Sequence, residues 1–104
     1  MKSIHFCTPL KLQEIKENIY FDTVRTGFIP TFFPEEIIQI NERKDYEKKK
    51  DDQFICLAKV LSCKPVVYGL LNKTKHQEEI TRYHKKFDHR QYFFEIQLKK
   101  MKHL

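Results

Sequence analysis

Arg25 is the first residue whose chemistry needs an explanation. It ends the β-branched and aromatic segment 19–25, where a cation is costly unless it is paired or faces a cleft. Its guanidinium fork suits a phosphate or a base edge, whereas a salt bridge with Asp22, Glu36 or another acid would be structural. Tyr20 could stack on a base, or could simply fill a half-buried strand position. Arg25 and Tyr20 are therefore candidate ligand-binding residues.

A second candidate site is the run from Arg43 to Lys50, which holds five basic residues and one tyrosine. It belongs to a nearly all-charged stretch, 41–52, that predicts an exposed hairpin loop. Lysine and arginine on such a loop could hold phosphates, with Arg43 among the ligand-binding residues. The interleaved acids favour a solvated loop instead, so both interpretations stay open.

Metal and cofactor chemistry find little support in the sequence. His76 and His84 are eight residues apart, a reach of ~12 Å along a helix, which is too far for one ion. The three cysteines, Cys7, Cys56 and Cys63, match neither a disulfide framework nor a zinc knuckle. With only two glycines, a glycine-rich phosphate loop is excluded. We expect no metal and no cofactor.

Length, composition and net charge limit the number of domains, the size of the core and the kind of partner. A chain of 104 residues fits a single domain, 1–104, and its 40% hydrophobic residues allow a modest core. The net charge of +6 suits polyanionic partners, although a lysine-rich composition can give that charge without any binding role. No apolar run suggests a signal peptide or a membrane span, so we expect a cytoplasmic protein without membrane contact.

The strands and helices that must position these residues are predicted from the hydrophobic periodicity and from residues that end helices or strands. Strands are predicted at 2–7, 19–25, 37–41, 53–63 and 91–98, from alternation and β-branched or aromatic content. Thr8 and Pro9 start a helix over 9–17 that stops at Asn18. A surface helix over 76–86 is anchored by Ile80, Tyr83 and Phe87. Lys64-Pro65 is expected to break the longest strand, and 66–71 is undecided between helix and strand.

This order predicts an α+β fold, because so few helices cannot cover both faces of a parallel sheet. We expect five to six mostly antiparallel strands that curl into a small β-barrel, with two or three short helices.

The order of elements resembles the ASCH domain, a branch of the PUA-like barrels. The family motif G-x-K-x-x-E-x-R corresponds to Asn18-x-Tyr20-x-x-Thr23-x-Arg25, in which Arg25 matches. Thr23 in place of the acid is similar to the small bacterial amidohydrolases that act on N(4)-acetylcytidine. Further similar stretches are 32–40, 51–56, Lys75-His76 with Glu78 and Glu79, and 91–96, so the resemblance covers nearly the whole chain.

The resemblance implies site residues and a reaction. In the amidohydrolases a lysine, a threonine and a later glutamate form the proposed catalytic set. Thr23 and Glu78 carry over as nucleophile and base, while Tyr20 stands where the family has its lysine. Glu78 would then supply the base for the threonine hydroxyl, with Tyr20 or Lys16 as donor.

Three functions are consistent with these residues. The leading one is binding of RNA or a modified nucleoside or nucleotide in a cleft lined by Tyr20, Thr23, Arg25 and Glu78. The alternative is an amidohydrolase acting on N(4)-acetylcytidine-type nucleosides. The third is a phage or mobile-element accessory protein whose basic loop meets a protein partner.

Overall fold

A computed structural model describes residues 1–27, 31–43, 52–81 and 87–101. Five strands occur in the order β1 (Ser3–Phe6), β2 (Tyr20–Thr26), β3 (Ile37–Arg43), β4 (Asp52–Val67) and β5 (Tyr92–Lys100). Helix α1 (Pro9–Glu17) follows β1, and the short helix α2 (Gln77–Thr81) precedes β5. A short 3-10 helix, Tyr68–Leu70, follows β4 directly. These bounds confirm the predicted α+β class.

The strands form one curled sheet in the order β1-β3-β4-β5-β2, a half-barrel with β1 and β2 at its two edges. β1 runs parallel to β3, and the other three pairings are antiparallel. The sheet is therefore mixed but mostly antiparallel, as predicted. The main core fills its inner face and includes Phe6, Ile15, Phe21, Ile40, Ile96 and Leu98.

Helix α1 begins and ends where the sequence indicates. Pro9 occupies the first helical position, where its missing N–H costs nothing, and Leu12 N–H donates to the Thr8 carbonyl at 3.0 Å. Leu12 and Ile15, three positions apart, are buried against the sheet. Asn18 ends the helix, and both its backbone N–H and its side-chain amide donate to the Glu14 carbonyl at 3.0 Å.

The predicted break at Lys64-Pro65 is wrong, because β4 continues through it to Val67. β3 pairs with β4 only as far as Lys59, so beyond that point β4 has a strand neighbour on one side, β5. Pro65, opposite Phe94, lies on this locally free edge, where a residue without an N–H is tolerated.

The other boundaries shift by a few residues. β3 extends to Arg43 and β4 begins at Asp52, which shortens the predicted hairpin loop; residues 44–51 lie outside the described part of the chain. The predicted helix over 76–86 is described only as Gln77–Thr81, and Tyr83 lies outside the described residues. Ile80 and Phe87 do anchor this region, in a second cluster with Val24, Leu71 and Phe93.

Candidate functional site

The candidate site forms where the edge strand β2 meets α1 and α2. Because β2 has β5 as its sheet neighbour on one side, the backbone of its other edge is available to side chains. The carbonyl of Asp22 on this edge accepts a 2.8 Å hydrogen bond from Lys11 Nζ of α1.

Thr23 and Glu79 form the centre of the site. The Thr23 hydroxyl donates a short hydrogen bond to Glu79 Oε2. Thr23 has no exposed surface and Glu79 is 7% exposed, so the bond lies inside the protein. One carboxylate oxygen is thereby fixed, and the other, Oε1, has no hydrogen-bond partner among the described residues.

Lys11 supplies the cation of the site although its side chain is only 8% exposed. Its ammonium lies 2.8 Å from Glu14 Oε2, 3.5 Å from Glu79 Oε1 and 3.8 Å from Asp22 Oδ1. A buried ammonium is costly unless paired, and three carboxylates around one lysine satisfy that requirement.

His76 and Lys75 complete the charged cluster. Lys75 makes a short ion pair with Asp22 Oδ2 from an exposed position. His76, which is 1% exposed, places Nδ1 3.7 Å from Glu79 Oε1 and Nε2 3.3 Å from Glu95 Oε2. The first distance is too long for a hydrogen bond, so His76 and Glu79 interact through charge.

The cluster shifts the pKa values of its members. Burial raises the pKa of Glu79, but His76, Lys11, Thr23 and Arg25 together lower it below its ordinary value. Burial lowers the pKa of His76, while the carboxylates of Glu79, Asp22 and Glu95 raise it overall. The hydrogen bond to Asp22 raises the pKa of Lys75. An ionised Glu79 beside a readily protonated His76 is the resulting state near neutral pH.

A cavity of about 680 Å³ opens onto this cluster between the start of α1 and α2. Its charged lining comes from Lys11, Glu14, Lys75, His76, Glu78 and Glu79. The volume falls within the roughly 300–1,000 Å³ usual for small-molecule sites. Cys7 and Thr8 lie on the α1 side of the opening. The Lys11 ammonium and the Glu79 carboxylate can therefore reach a bound ligand, while Thr23 lies behind them.

The acid that the structure brings to Thr23 is Glu79, not the predicted Glu78. Glu79 follows His76 by three positions, about one turn of a helix, so the two side chains lie on the same face and point to β2. Glu78 is rotated away from that face and lines the cavity half-buried. The spacing of His76 and Glu79 was the available signal that these two side chains lie on the same face. Nothing in the sequence signals Lys11.

Arg25 bridges the two edges of the half-barrel. Its guanidinium donates to the His5 carbonyl of β1 at 3.0 Å and lies 4.9 Å above the Phe6 ring. Its charge also contributes to the lowered pKa of Glu79. Neither Asp22 nor Glu36 is the partner that fixes it.

The three remaining predicted ligand-binding residues lie apart from the cluster. Tyr20 is 62% exposed on the outer face of the sheet. Lys16 is exposed at the end of α1, where its carbonyl accepts a 3.1 Å bond from Lys100. Arg43 is 8% exposed and forms a bidentate pair with Asp52 at 2.5 and 2.9 Å, with His5 Nε2 3.0 Å away.

Within the described ranges, one group of side chains could hold a metal ion. Ligand atoms of Asp22, His76 and Glu95 lie within 4.8 Å of one another. Both Asp22 oxygens already face lysines, Lys75 and Lys11, so an ion would compete with two ammonium groups. The expectation that the site uses no metal stays a prediction.

Comparisons with known proteins give no family. No protein-family model matches the chain, and neither a curated protein nor a solved structure matches it. Among the described residues, no helix is both long and apolar enough to cross a membrane. The resemblance to the ASCH domain therefore rests on the motif residues themselves.

Proposed function

We propose that the chain hydrolyses the amide of an N-acylated nucleobase, of the N(4)-acetylcytidine type, in the cavity between α1 and α2. The observation that carries the proposal is the Thr23–Glu79 hydrogen bond with Lys11 3.5 Å from the other Glu79 oxygen. Acyl transfer to water needs a positioned base and a group that stabilises the developing oxyanion, and Glu79, held by Thr23, and Lys11 can fill these two roles. Lys11 supports the proposal further, because it brings a lysine to the acid although the motif position carries Tyr20.

Glu79 is the general base in this proposal and a water molecule is the nucleophile. Its free oxygen, Oε1, takes a proton from water, and the hydroxide adds to the acyl carbon. The Lys11 ammonium stabilises the negative charge that develops on the acyl oxygen. The carbon–nitrogen bond then breaks, the Glu79 proton passes to the leaving amine, and a carboxylic acid and the free base are released.

Thr23 acts in this proposal through Glu79. Because its side chain has no exposed surface, its hydroxyl orients the carboxylate and does not contact substrate. The predicted role of Thr23 as nucleophile differs in one measurable respect, since it requires an acyl-enzyme. Intact-protein mass spectrometry during turnover should therefore show no acetylated chain, and Thr23→Ser should keep most of the activity.

The test is turnover of N(4)-acetylcytidine, followed by chromatography of the cytidine released. Glu79→Gln should lower kcat by about 10²- to 10⁴-fold, the usual contribution of a general base. The matched control is Glu78→Gln, which removes the same charge from the neighbouring helix position. Equal activity of the parent chain and Glu79→Gln, or no turnover by the parent chain at saturating substrate, would refute the proposal.

Ligand binding without chemistry is the second candidate function. It is favoured by the mutual pairing of Lys11 with Glu14, Glu79 and Asp22, an arrangement that also serves simply to neutralise buried charges. Calorimetric titration with cytidine and N(4)-acetylcytidine separates the two functions, because this candidate predicts binding of the acylated nucleoside and no product.

A further inference from the structure

A row of exposed side chains crosses the outer face of the sheet. The strand register places Tyr20 of β2 opposite Lys99 of β5, and Lys99 opposite Lys59 of β4. The residues next to them along each strand, Phe21, Leu98 and Val60, are buried in the core, so the row points outward. Neighbouring strands are about 4.8 Å apart, so the three side chains span roughly 10 Å.

This row combines an aromatic face with positive charge. Tyr20 is 62% exposed, and Lys99 Nζ lies 5.9 Å from the centre of its ring. Lys59 contacts Glu35 at 3.2 Å, but Glu35 is itself 77% exposed and holds it weakly. A groove of about 520 Å³ at this end of the sheet is lined by three lysines, Lys59, Lys99 and Lys100, together with Ile19, Tyr20 and Met101.

The groove leads along β2 to the candidate site. Tyr20 also lines the next depression, of about 340 Å³, whose other lining residues include Asp22, Leu61 and Lys75. Lys75 and Glu14 belong both to this depression and to the 680 Å³ cavity. The row of side chains and the cavity over Glu79 are thus parts of one continuous surface depression.

We propose that this depression binds a single-stranded polynucleotide, so that the base which enters the cavity belongs to a strand and not to a free nucleoside. The inference rests on the proposed function for the cavity and names its substrate class. Tyr20 stacks on a base, an interaction that any base can make, while Lys59 and Lys99 contact the flanking phosphates. Lys100 is not part of this contact, because its ammonium is bonded to the Ile15 and Lys16 carbonyls of α1. Because Tyr20, Lys59 and Lys99 belong to paired strands of the sheet, the platform is rigid.

The first test is fluorescence anisotropy with a labelled single-stranded RNA of twelve residues, a DNA of the same sequence, and the RNA duplex. Both single strands should bind, with a slope of log K against log salt of about −1.4 for two lysine contacts. The duplex should bind more weakly, because its bases are already stacked. Equal affinity for duplex and single strands, or affinity that ignores salt, would overturn the proposal, and a difference between RNA and DNA identifies the sugar that is accepted.

Single substitutions locate the surface. Tyr20→Ala should weaken single-strand binding by roughly five- to a hundredfold, and Tyr20→Phe should restore it, because the ring does the stacking. Lys99→Glu should weaken binding and reduce the salt slope by about 1. The matched control is Arg90→Glu, the same charge change at an exposed position beyond the opposite end of β5, whose seven steps from Lys99 to Tyr92 span ~23 Å. Equal losses of affinity for Arg90→Glu and Lys99→Glu would show that binding depends on the overall charge and not on this surface, and would overturn the proposal.

Failure of this inference is distinguishable from failure of the proposed function. One outcome refutes only the strand platform. In it, free N(4)-acetylcytidine and N(4)-acetylcytidine within an oligonucleotide are hydrolysed with the same kcat/KM, and Lys99→Glu changes neither of these two values. If single strands bind in a Tyr20-dependent manner and no substrate turns over, the platform stands and the hydrolase is refuted.

Discussion

Thr23 shows at the scale of one residue how the charged cluster depends on a neutral hydroxyl. Glu79 has one oxygen held by that hydroxyl and one that finds no hydrogen-bond partner in the described part of the chain, although Lys11 and His76 lie close by. We expect Thr23→Val, which keeps the shape and removes the donor, to lower the free energy of unfolding by about 1–3 kcal/mol. Urea denaturation measures this, with Thr23→Ser as the variant that keeps the donor. An unchanged free energy of unfolding in Thr23→Val would contradict this role of the hydroxyl, because valine keeps the γ-methyl group and replaces only the hydroxyl.

The opposite pKa shifts of His76 and Glu79 predict how stability depends on pH. The raised pKa of His76 stabilises the fold fully below its ordinary value of 6.5, and this is lost as pH rises through the raised value. The lowered pKa of Glu79 stabilises the fold above 4.5, and this is lost as pH falls through the lowered value. The carboxylates of Glu79, Asp22 and Glu95 act on His76, and Lys11 and Lys75 pair with Asp22. The cluster should therefore be most stabilising between pH 4.5 and pH 6.5, the ordinary pKa values of glutamate and histidine.

His76→Gln tests this linkage through the urea midpoint measured across pH. In the parent chain we expect the midpoint to fall as pH rises above 6.5, and in His76→Gln this fall should be absent. His89→Gln is the control, because His89 is exposed. A pH profile that is unchanged in His76→Gln would contradict the assignment.

At the scale of an element, the turn before β3 carries local backbone strain. Glu35 has φ of 74°, in a turn where Pro34 precedes it and Glu36 N–H donates to the Phe33 carbonyl at 3.1 Å. A type II turn with proline in its second position calls for glycine or asparagine in the third. We expect Glu35→Gly to raise the free energy of unfolding by about 0.5–1 kcal/mol, measured by urea denaturation. Glu35→Ala keeps the side-chain penalty and should give no such gain.

The elements were largely predictable because their signals are local. The Thr8-Pro9 start and the Asn18 stop depend on neighbouring residues, and the structure confirms both. Pro65 was misjudged because proline is excluded only where both strand edges are paired, and that condition depends on where β3 ends. Glu79 was missed for a related reason, since choosing between adjacent acids requires the orientation of α2 toward β2.

At the scale of the whole molecule, Arg25 links the two open edges of the half-barrel. β1 is held to the sheet by four residue pairs with β3, and Arg25 adds a bond from β2 to the His5 carbonyl. Phe6 and Phe21 reinforce the same seam, with ring centres 6.4 Å apart in an edge-to-face arrangement. The sequence placed Arg25 on a strand, but its partner on β1, twenty residues away, became evident only in the closed fold.

Replacing Arg25 tests this seam through hydrogen exchange. In Arg25→Met, which keeps much of the side-chain length, the β1 amides should exchange at least about tenfold faster, because a charge-assisted bond contributes about 1.5–3 kcal/mol. Amides of the β4–β5 pairing serve as the internal reference and should keep their protection. Uniform acceleration of both groups would indicate global destabilisation and refute a local seam.

The strand order also determines when the site can exist during synthesis. β2, which carries Asp22 and Thr23, has β5 as its strand partner, and Phe21 pairs with Leu98, roughly eighty residues later. At roughly 5–20 residues per second, β2 leaves the ribosome on the order of ten seconds before β5. A nascent chain can therefore pair β3 with β4 early, whereas β2, which carries Thr23, can pair only after β5 has been synthesised. The charged cleft is the last part to assemble, so a chain interrupted before β5 would carry every residue of the 680 Å³ cavity lining and no site.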